Sequence, residues 1–311
     1  MSNTPSAQTS APGSSTHTRH ASEGGKLLQM PDQHVHRTTL KHLRQWAKAD
    51  TPFPMLTCYD ATTAGLLYEA GIRVMLVGDT AAQMILGHDA TLHAPFDFML
   101  QITAGVRRGA PNALIMGDMP FGSYQCGDDE AMKHATAFLK QGMADCVKLE
   151  VDESYAPLVD RMTRAGIPVV AHIGSLPQHV RSKGGYCSAG KTRSEADSVL
   201  VDAKAMLGAG ACMFLIEAVP DQVTASVQGL VHKHAEETGT VVPIIGCGAG
   251  PDCHGHVVVL QDLLGMTHWQ PAFAKPMVDV GEQITTAASR WVKLVQGKQY
   301  LKDGGVYTSK V

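Results

Sequence analysis

The chain of 311 residues has no apolar run longer than four to seven residues, where a membrane-crossing helix needs roughly 20. It has little net charge, −3, which removes the electrostatic case for nucleic acid or an anionic membrane surface as a partner. No C-x-x-C pair occurs, and the seven cysteines form an odd, scattered set. With no apolar segment near Met1, they read as small core hydrophobes in a reducing, cytoplasmic setting. No G-x-G-x-x-G follows an early strand-like run, so the fingerprint of a dinucleotide fold is missing. What remains is ordinary for a soluble globular protein, 44% hydrophobic and 18% charged, and long enough for one large α/β domain or two small ones.

Residues 1–36 hold Ser, Thr, Ala, Gly, Gln and His with hardly any large apolar side chains. Burial there cannot offset ordering entropy, and a disordered polar tail is expected. Its His17, His20, His34 and His36 read as solvated, since nothing orders a coordination site. The rest, 37–311, is expected to be one catalytic domain.

From Thr39 onward the periodicities alternate. A helix is predicted over Thr39–Ala49, then strands at Met55–Tyr59, Val74–Gly78, Ala113–Gly117, Cys146–Glu150, Pro168–His172, Cys212–Glu217 and Val241–Gly246, with Phe273–Lys275 as a short eighth. Helical stretches fall at Ala61–Ala70, Pro95–Arg108, Asp129–Gly142, Tyr155–Ala165, Glu195–Leu207, Asp221–Thr238 and Val280–Gln296. Eight βα units without a composition break favour a closed (β/α)₈ TIM barrel over an open doubly wound sheet.

The runs Val74–Val77 and Ala113–Met116 each lead into Gly-Asp, placing Asp79 and Asp118 at strand ends. One such acid is most simply a helix N-cap. Two on successive strands suggest carboxylates converging on a divalent cation. The other strand ends carry Tyr59-Asp60, Lys148 and Glu150 on one face of their strand, His172, Glu217 and the Gly246–Gly250 turn. Buried strand ends rarely carry unpaired charge, so several acids, one lysine and one histidine at a single barrel mouth point to chemistry.

These residues and their neighbours resemble the ketopantoate hydroxymethyltransferase family. The matching stretches include Leu76-Val77-Gly78-Asp79, Gly87-His88-Asp89-Ala90-Thr91-Leu92, Gly117-Asp118-Met119-Pro120-Phe121, Val147-Lys148-Leu149-Glu150, Ala171-His172-Ile173-Gly174, Glu217-Ala218-Val219-Pro220 and Ile244 through Gly250, in the family's order over about 38–297. The resemblance implies a barrel of the phosphoenolpyruvate/pyruvate type, Mg²⁺ (or Mn²⁺ or Co²⁺) as cofactor, 5,10-methylenetetrahydrofolate as co-substrate, and a homo-oligomer, often a decamer. It implies enolisation of 3-methyl-2-oxobutanoate by class II aldolase-like metal chemistry and addition to the one-carbon unit, giving 2-dehydropantoate for pantothenate and coenzyme A synthesis. Carried over, Asp79 and Asp118 are metal acids with Glu150 nearby through water. Thr80, Asp118 and Lys148 hold the 2-oxo acid, His172 is a hydrogen-bond partner in the pocket, and Glu217 is the base. Ser175–Thr192, rich in Gly and Ser, is expected either as a lid or as an ordinary exposed loop.

The chain departs from the family at Thr80 (usually Ser), Ala81-Ala82-Gln83, Val151-Asp152, Gly190-Lys191 and His254-Gly255-His256, all expected on loops at the mouth. These changes raise the expectation of a paralogue with another 2-oxo acid or one-carbon donor. His254 and His256 could make a second metal site, though no third ligand is in view. The glycine turn fits either a phosphate cradle or a tight approach of backbone. Cys247 reads as packing, and Tyr59 and Asp60 as shaping the pocket floor. A related carbon–carbon lyase is the nearest rival, but the Lys-Lys-Cys-Gly-His loop of isocitrate lyase is missing. A non-catalytic binding homologue is a further alternative, opposed by the retained acids.

Overall fold

The computed structural model describes residues 37–299. The expected tail over 1–36, with its four histidines, lies outside them. Eight parallel strands close on themselves in chain order: β1 Phe53–Thr57, β2 Val74–Val77, β3 Leu114–Asp118, β4 Cys146–Glu150, β5 Val169–Gly174, β6 Met213–Glu217, β7 Ile244–Cys247 and β8 Gly255–Val258. β8 returns to β1 in register, Phe53 beside Gly255 and Met55 beside Val257. Every residue of β2, β3 and β4 is buried, as expected of strands covered by helices on one side and filled by side chains on the other. Among the described residues no helix is long and apolar enough to cross a membrane.

The helix Leu40–Lys48 buries Leu43, Trp46 and Ala47. Its Trp46 ring meets Phe53, the first residue of β1, at a centroid distance of 5.9 Å, so this helix stands at the N-terminal end of the barrel. Around the outside run Ala61–Glu69, Phe96–Gly109, Asp128–Lys140, Ala156–Arg164, Arg193–Gly208 and Asp221–Thr238. Each matches an expected helix within about two residues.

The end of the barrel departs from expectation. Phe273–Lys275 is not a strand, and the eighth strand is Gly255–Val258. No helix follows β7 among the described residues; residues 248–254 run straight back to the start of β8. A sequence reader sees Cys-His-Gly-His before the valines and takes it for a loop. In the barrel, Gly255 is required at that point, because a Cβ there would stand 2.4 Å from the Phe53 ring. His254 and His256 therefore stand at the strand's N-terminal end rather than at the mouth. His254 Nδ1 accepts the Ile244 N–H at 3.0 Å, and His256 Nε2 is 3.1 Å from the Pro251 carbonyl. The structure does not bring them together as a metal site.

Candidate active site

The strand ends surround a cavity of about 360 Å³. Asp79, just past β2, and Asp118, at the end of β3, are buried, as are Lys148 and Glu150 on β4 and His172 on β5. Glu217 ends β6 with its side chain 24% exposed. All six line the cavity together with Thr80, which opens the short helix Ala81–Met84. Every residue given a metal, substrate or base role from the sequence thus lies at one mouth.

β2 and β3 run side by side with Val77 opposite Gly117, and this register sets the acids against each other. The Asp79 N–H donates to Asp118 Oδ2 at 2.8 Å. Burial, then the Asp118 charge, push the Asp79 carboxyl up to about 8, partly opposed by Lys148 and the Gln178 amide. The Lys148 ammonium lies 2.8 Å from Asp118 Oδ1. Burial pulls that lysine down, but Asp118, Asp79 and Glu150 more than offset it and hold it above its ordinary value. Glu150 is also raised well above the usual carboxylate range, by burial first, with Lys148 opposing and Asp79 and Asp118 adding to the shift.

Lys148 Nζ also approaches His172 Nδ1 at 3.2 Å. An ammonium has only protons to offer, so Nδ1 accepts and the ring proton sits on Nε2. Burial, then Lys148, hold His172 below its ordinary pKa. It is a neutral imidazole, with Nε2 3.4 Å from Glu217 Oε2.

Four acids and one lysine therefore share a buried space, a charge excess that burial makes costly. Glu150 Oε1 is buried with no hydrogen-bond partner, and Asp118 Oδ1 has only the ionic approach of Lys148. These hard oxygen donors fit a small divalent cation. Asp79 and Asp118 meet directly. Among the described residues, however, no three His, Cys, Asp or Glu side chains are grouped closely enough to hold an ion alone.

The segment from Ser175 to Thr192 crosses the mouth. Ser175, Pro177, Tyr186, Cys187 and Ser188 line the cavity, and the segment contains a 3₁₀ turn at Pro177–His179 and a helical turn at Val180–Lys183. Its ends are fastened beside Glu217: Ser175 N–H donates to Glu217 O at 2.9 Å, and Ala189 N–H to Ala218 O at 3.1 Å. Ala218 holds φ at +49°, a costly setting for a residue with a Cβ.

Other expectations change. Asp60 is an N-cap, accepting the Thr63 N–H at 2.8 Å, so it does not shape the pocket; Tyr59 is buried at the end of β1. Cys247 lines the cavity opposite Glu217 in the β6–β7 register, and burial followed by the Glu217 charge raises its thiol well above the ordinary value. The glycine turn is a tight approach rather than an anion cradle. A Cβ on Gly248 would sit 2.5 Å from the Phe273 ring, and one on Gly250 2.6 Å from the Asp221 carboxylate. Of the departures nearest β2, Thr80 and Gln83 face the cavity, whereas Ala81 and Ala82 are wholly buried.

Sequence reasoning passed over Gln178, Tyr124 and the far wall of the cavity, made by Val257–Val259, Asp262, Trp269, Pro271 and Phe273. The Pro-Gln after β5 lay inside the stretch read as either a lid or an exposed loop, with no residue of it singled out, and an uncharged glutamine carries no periodic or charge signal.

The family model for ketopantoate hydroxymethyltransferase matches residues 37–303. The chain is 40% identical to the 3-methyl-2-oxobutanoate hydroxymethyltransferase of Mycobacterium tuberculosis (strain ATCC 25618 / H37Rv) over 263 residues, covering 84% of this chain and 90% of that protein. With the enzyme of the same name from Mycobacterium marinum (strain ATCC BAA-535 / M) it shares 40% identity over 82% of this chain and 83% of that protein. Solved structures share the fold at lower identity. 2,3-Dimethylmalate lyase, a member of the PEP mutase/isocitrate lyase superfamily, gives a TM-score of 0.51 at 15% identity, covering 88% of this chain and 91% of its own. Oxaloacetate acetylhydrolase with oxalate gives 0.53 at 14%, covering 88% and 89%.

Proposed function

The chain belongs to the ketopantoate hydroxymethyltransferase family, and from that premise we propose that it enolises 3-methyl-2-oxobutanoate and adds the carbanion to the one-carbon unit of 5,10-methylenetetrahydrofolate. The observation that carries this reading is the convergence of Asp79, Asp118, Lys148, His172 and Glu217 on one cavity, with Glu217 Oε2 3.4 Å from the His172 ring.

A divalent cation held by Asp79 and Asp118, with Glu150 reaching it through water, would supply Lewis-acid polarisation of the 2-oxo group, worth several kcal/mol. Mg²⁺ is the ion we favour, with Mn²⁺ or Co²⁺ able to take the same oxygen donors. The protein's own side chains do the rest. Lys148, kept protonated by its acidic neighbours, faces the developing negative charge on the substrate oxygens. The Thr80 hydroxyl and Asp118 hold the 2-oxo acid in place. Glu217 takes the proton from C3, a contribution of about 10²–10⁴ in rate, and the His172 Nε2–H orients it. The C3 electron pair forms the new carbon–carbon bond, water supplies the hydroxyl oxygen, and tetrahydrofolate departs from the one-carbon unit. The apolar and aromatic wall of Val257–Val259, Trp269 and Phe273 supports a planar second substrate opposite the acids.

The seven cysteines are all free thiols, which supports a reducing cytoplasmic setting. The helix Val280–Gln296 buries none of its residues and exposes Ile284, Trp291, Val292 and Val295. That apolar stripe supports a homo-oligomer, a decamer by family resemblance.

The deciding assay is solvent deuterium exchange at C3 of 3-methyl-2-oxobutanoate with Mg²⁺, without folate. Exchange in the wild type and its loss in Glu217→Gln are expected, with 2-dehydropantoate formed once 5,10-methylenetetrahydrofolate is added. Absence of exchange in the wild type would favour a binding homologue. Faster exchange of another 2-oxo acid would favour the paralogue that Thr80 and Gln83 at the cavity wall suggest.

A further inference from the structure

Gln178 is 2% exposed, and its side-chain amide uses its full hydrogen-bonding capacity. Its Nε2 donates to Asp79 Oδ2 at 2.9 Å and to the Met119 carbonyl at 3.0 Å. Both neighbours are acceptors, which fixes the orientation of the amide. Its Oε1 accepts from the Tyr124 hydroxyl at 2.7 Å and from Gln125 Nε2 at 3.3 Å. Its main-chain N–H donates to Glu150 Oε2 at 2.9 Å. Tyr124 in turn bridges back to β4, its oxygen accepting the Glu150 N–H at 3.1 Å.

One residue thus holds two of the candidate metal acids by different groups. The side chain occupies one oxygen of Asp79 and the backbone occupies one oxygen of Glu150. Gln178 also belongs to the 3₁₀ turn Pro177–His179 at the root of the segment that crosses the mouth. Hydrogen bonds of this kind leave each carboxylate one oxygen to turn toward the cavity and forbid its rotation.

We propose that Gln178 is a positioning residue that preorganises Asp79 and Glu150 for a divalent cation and couples the formation of that site to the seating of the segment over the mouth. The proposal rests on the reading of those acids as metal acids. It implies reciprocity: the seated segment favours the cation, and the cation favours the seated segment.

The test uses the full chain and Mn²⁺ alone, followed by electron paramagnetic resonance, with hydrogen exchange of residues 176–188 measured with and without Mn²⁺. Gln178→Met keeps the bulk and the main-chain N–H while removing the amide. We expect Mn²⁺ to bind it 10- to 100-fold more weakly than wild type, with the slowing of exchange by Mn²⁺ over 176–188 lost. Asp79→Asn tests the underlying reading: if it binds Mn²⁺ as wild type does, the acids are not the site. Asp79→Asn losing Mn²⁺ while Gln178→Met retains wild-type affinity would overturn this proposal alone. A lower Tm in Gln178→Met with unchanged Mn²⁺ affinity, the mark of a merely structural role, would overturn it as well. Should Gln178→Met fail to fold, Tyr124→Phe decides. It removes the hydroxyl that orients the amide, and a several-fold loss of Mn²⁺ affinity is expected; no loss overturns the proposal.

Discussion

Asp79 donates its main-chain N–H to the carboxylate of Asp118 across 2.8 Å, so the ends of β2 and β3 are fastened together by the two acids that also compete for charge. This joint has a thermodynamic consequence. Asp79 is raised to about 8, and Glu150 is raised well above its ordinary value. Between about pH 4 and those raised values the folded state therefore binds more protons than the unfolded one, and stability falls as pH rises through that window. His172, lowered by burial and Lys148, has the opposite sign: its neutral burial costs stability only as pH falls below about 6.5. In chelator, the Tm should accordingly decline between pH 6.5 and 8. Added Mg²⁺ should raise the Tm most at pH 8, where fewer protons have to be displaced. Scanning calorimetry across that range checks this, and a profile flat with pH in chelator would contradict the strained acid pair.

Lys148 is the single lysine among those acids. Replacing it by Met leaves Asp118, Asp79 and Glu150 without their buried counter-charge, and removal of one partner of a buried pair typically costs about 3–5 kcal/mol. The urea midpoint of Lys148→Met in chelator should fall accordingly. Its C3 exchange, at saturating substrate and Mg²⁺, should drop about 10²–10³-fold, as for loss of one preorganised donor to a developing anion. Lys148→Arg should recover part of the stability and little of the exchange, since a planar guanidinium does not match the point charge facing both Asp118 and His172.

The rim of the cavity was legible because its residues are charged or titratable and stand at the ends of strands whose apolar runs are unmistakable. Asp79, Asp118, Lys148, Glu150, His172 and Glu217 all line one cavity from the strand ends at which the sequence put them. The eighth strand was not legible. Its identity depends on Gly255 lying against Phe53 of the neighbouring first strand, where the barrel closes, and no local pattern reports a contact between residues about two hundred apart in the chain. Asp60 shows the converse failure, an acid after a strand whose role is an N-cap. Gln178 was invisible for a third reason: its importance lies in five partners drawn from three separate parts of the chain.

Glu217, the proposed base, is followed directly by a left-handed residue. Ala218 at φ +49° turns the chain so that its N–H reaches Cys247 O at 2.9 Å while its carbonyl accepts from Ala189 at 3.1 Å, holding both β7 and the far end of the mouth segment. A β-branched side chain tolerates that conformation poorly. Ala218→Val should lower stability by more than about 1 kcal/mol and reduce C3 exchange through displacement of Glu217. Ala218→Gly relieves the Cβ but loosens the unfolded chain, and the two effects should leave stability within about 1 kcal/mol of wild type. Equal losses in both variants, measured by urea denaturation, would place the requirement in the methyl group rather than in the backbone.

The helix Val280–Gln296 tests the proposed assembly. Val280–Gln296 carries Ile284, Trp291 and Val295 at spacings of seven and four, one stripe along its length with Val292 beside it. They are 52%, 55%, 41% and, for Val292, 50% exposed, and no residue of the helix is buried. A stripe of this size at the end of a barrel domain fits the apolar centre of an interface between copies. Ile284→Asp combined with Val292→Asp adds two charges to that stripe without touching the cavity. Sedimentation velocity should show the wild type as an oligomer and the double variant shifted to smaller species, with C3 exchange per subunit retained if each barrel holds its own site. An unchanged sedimentation coefficient would place the interface elsewhere on the barrel.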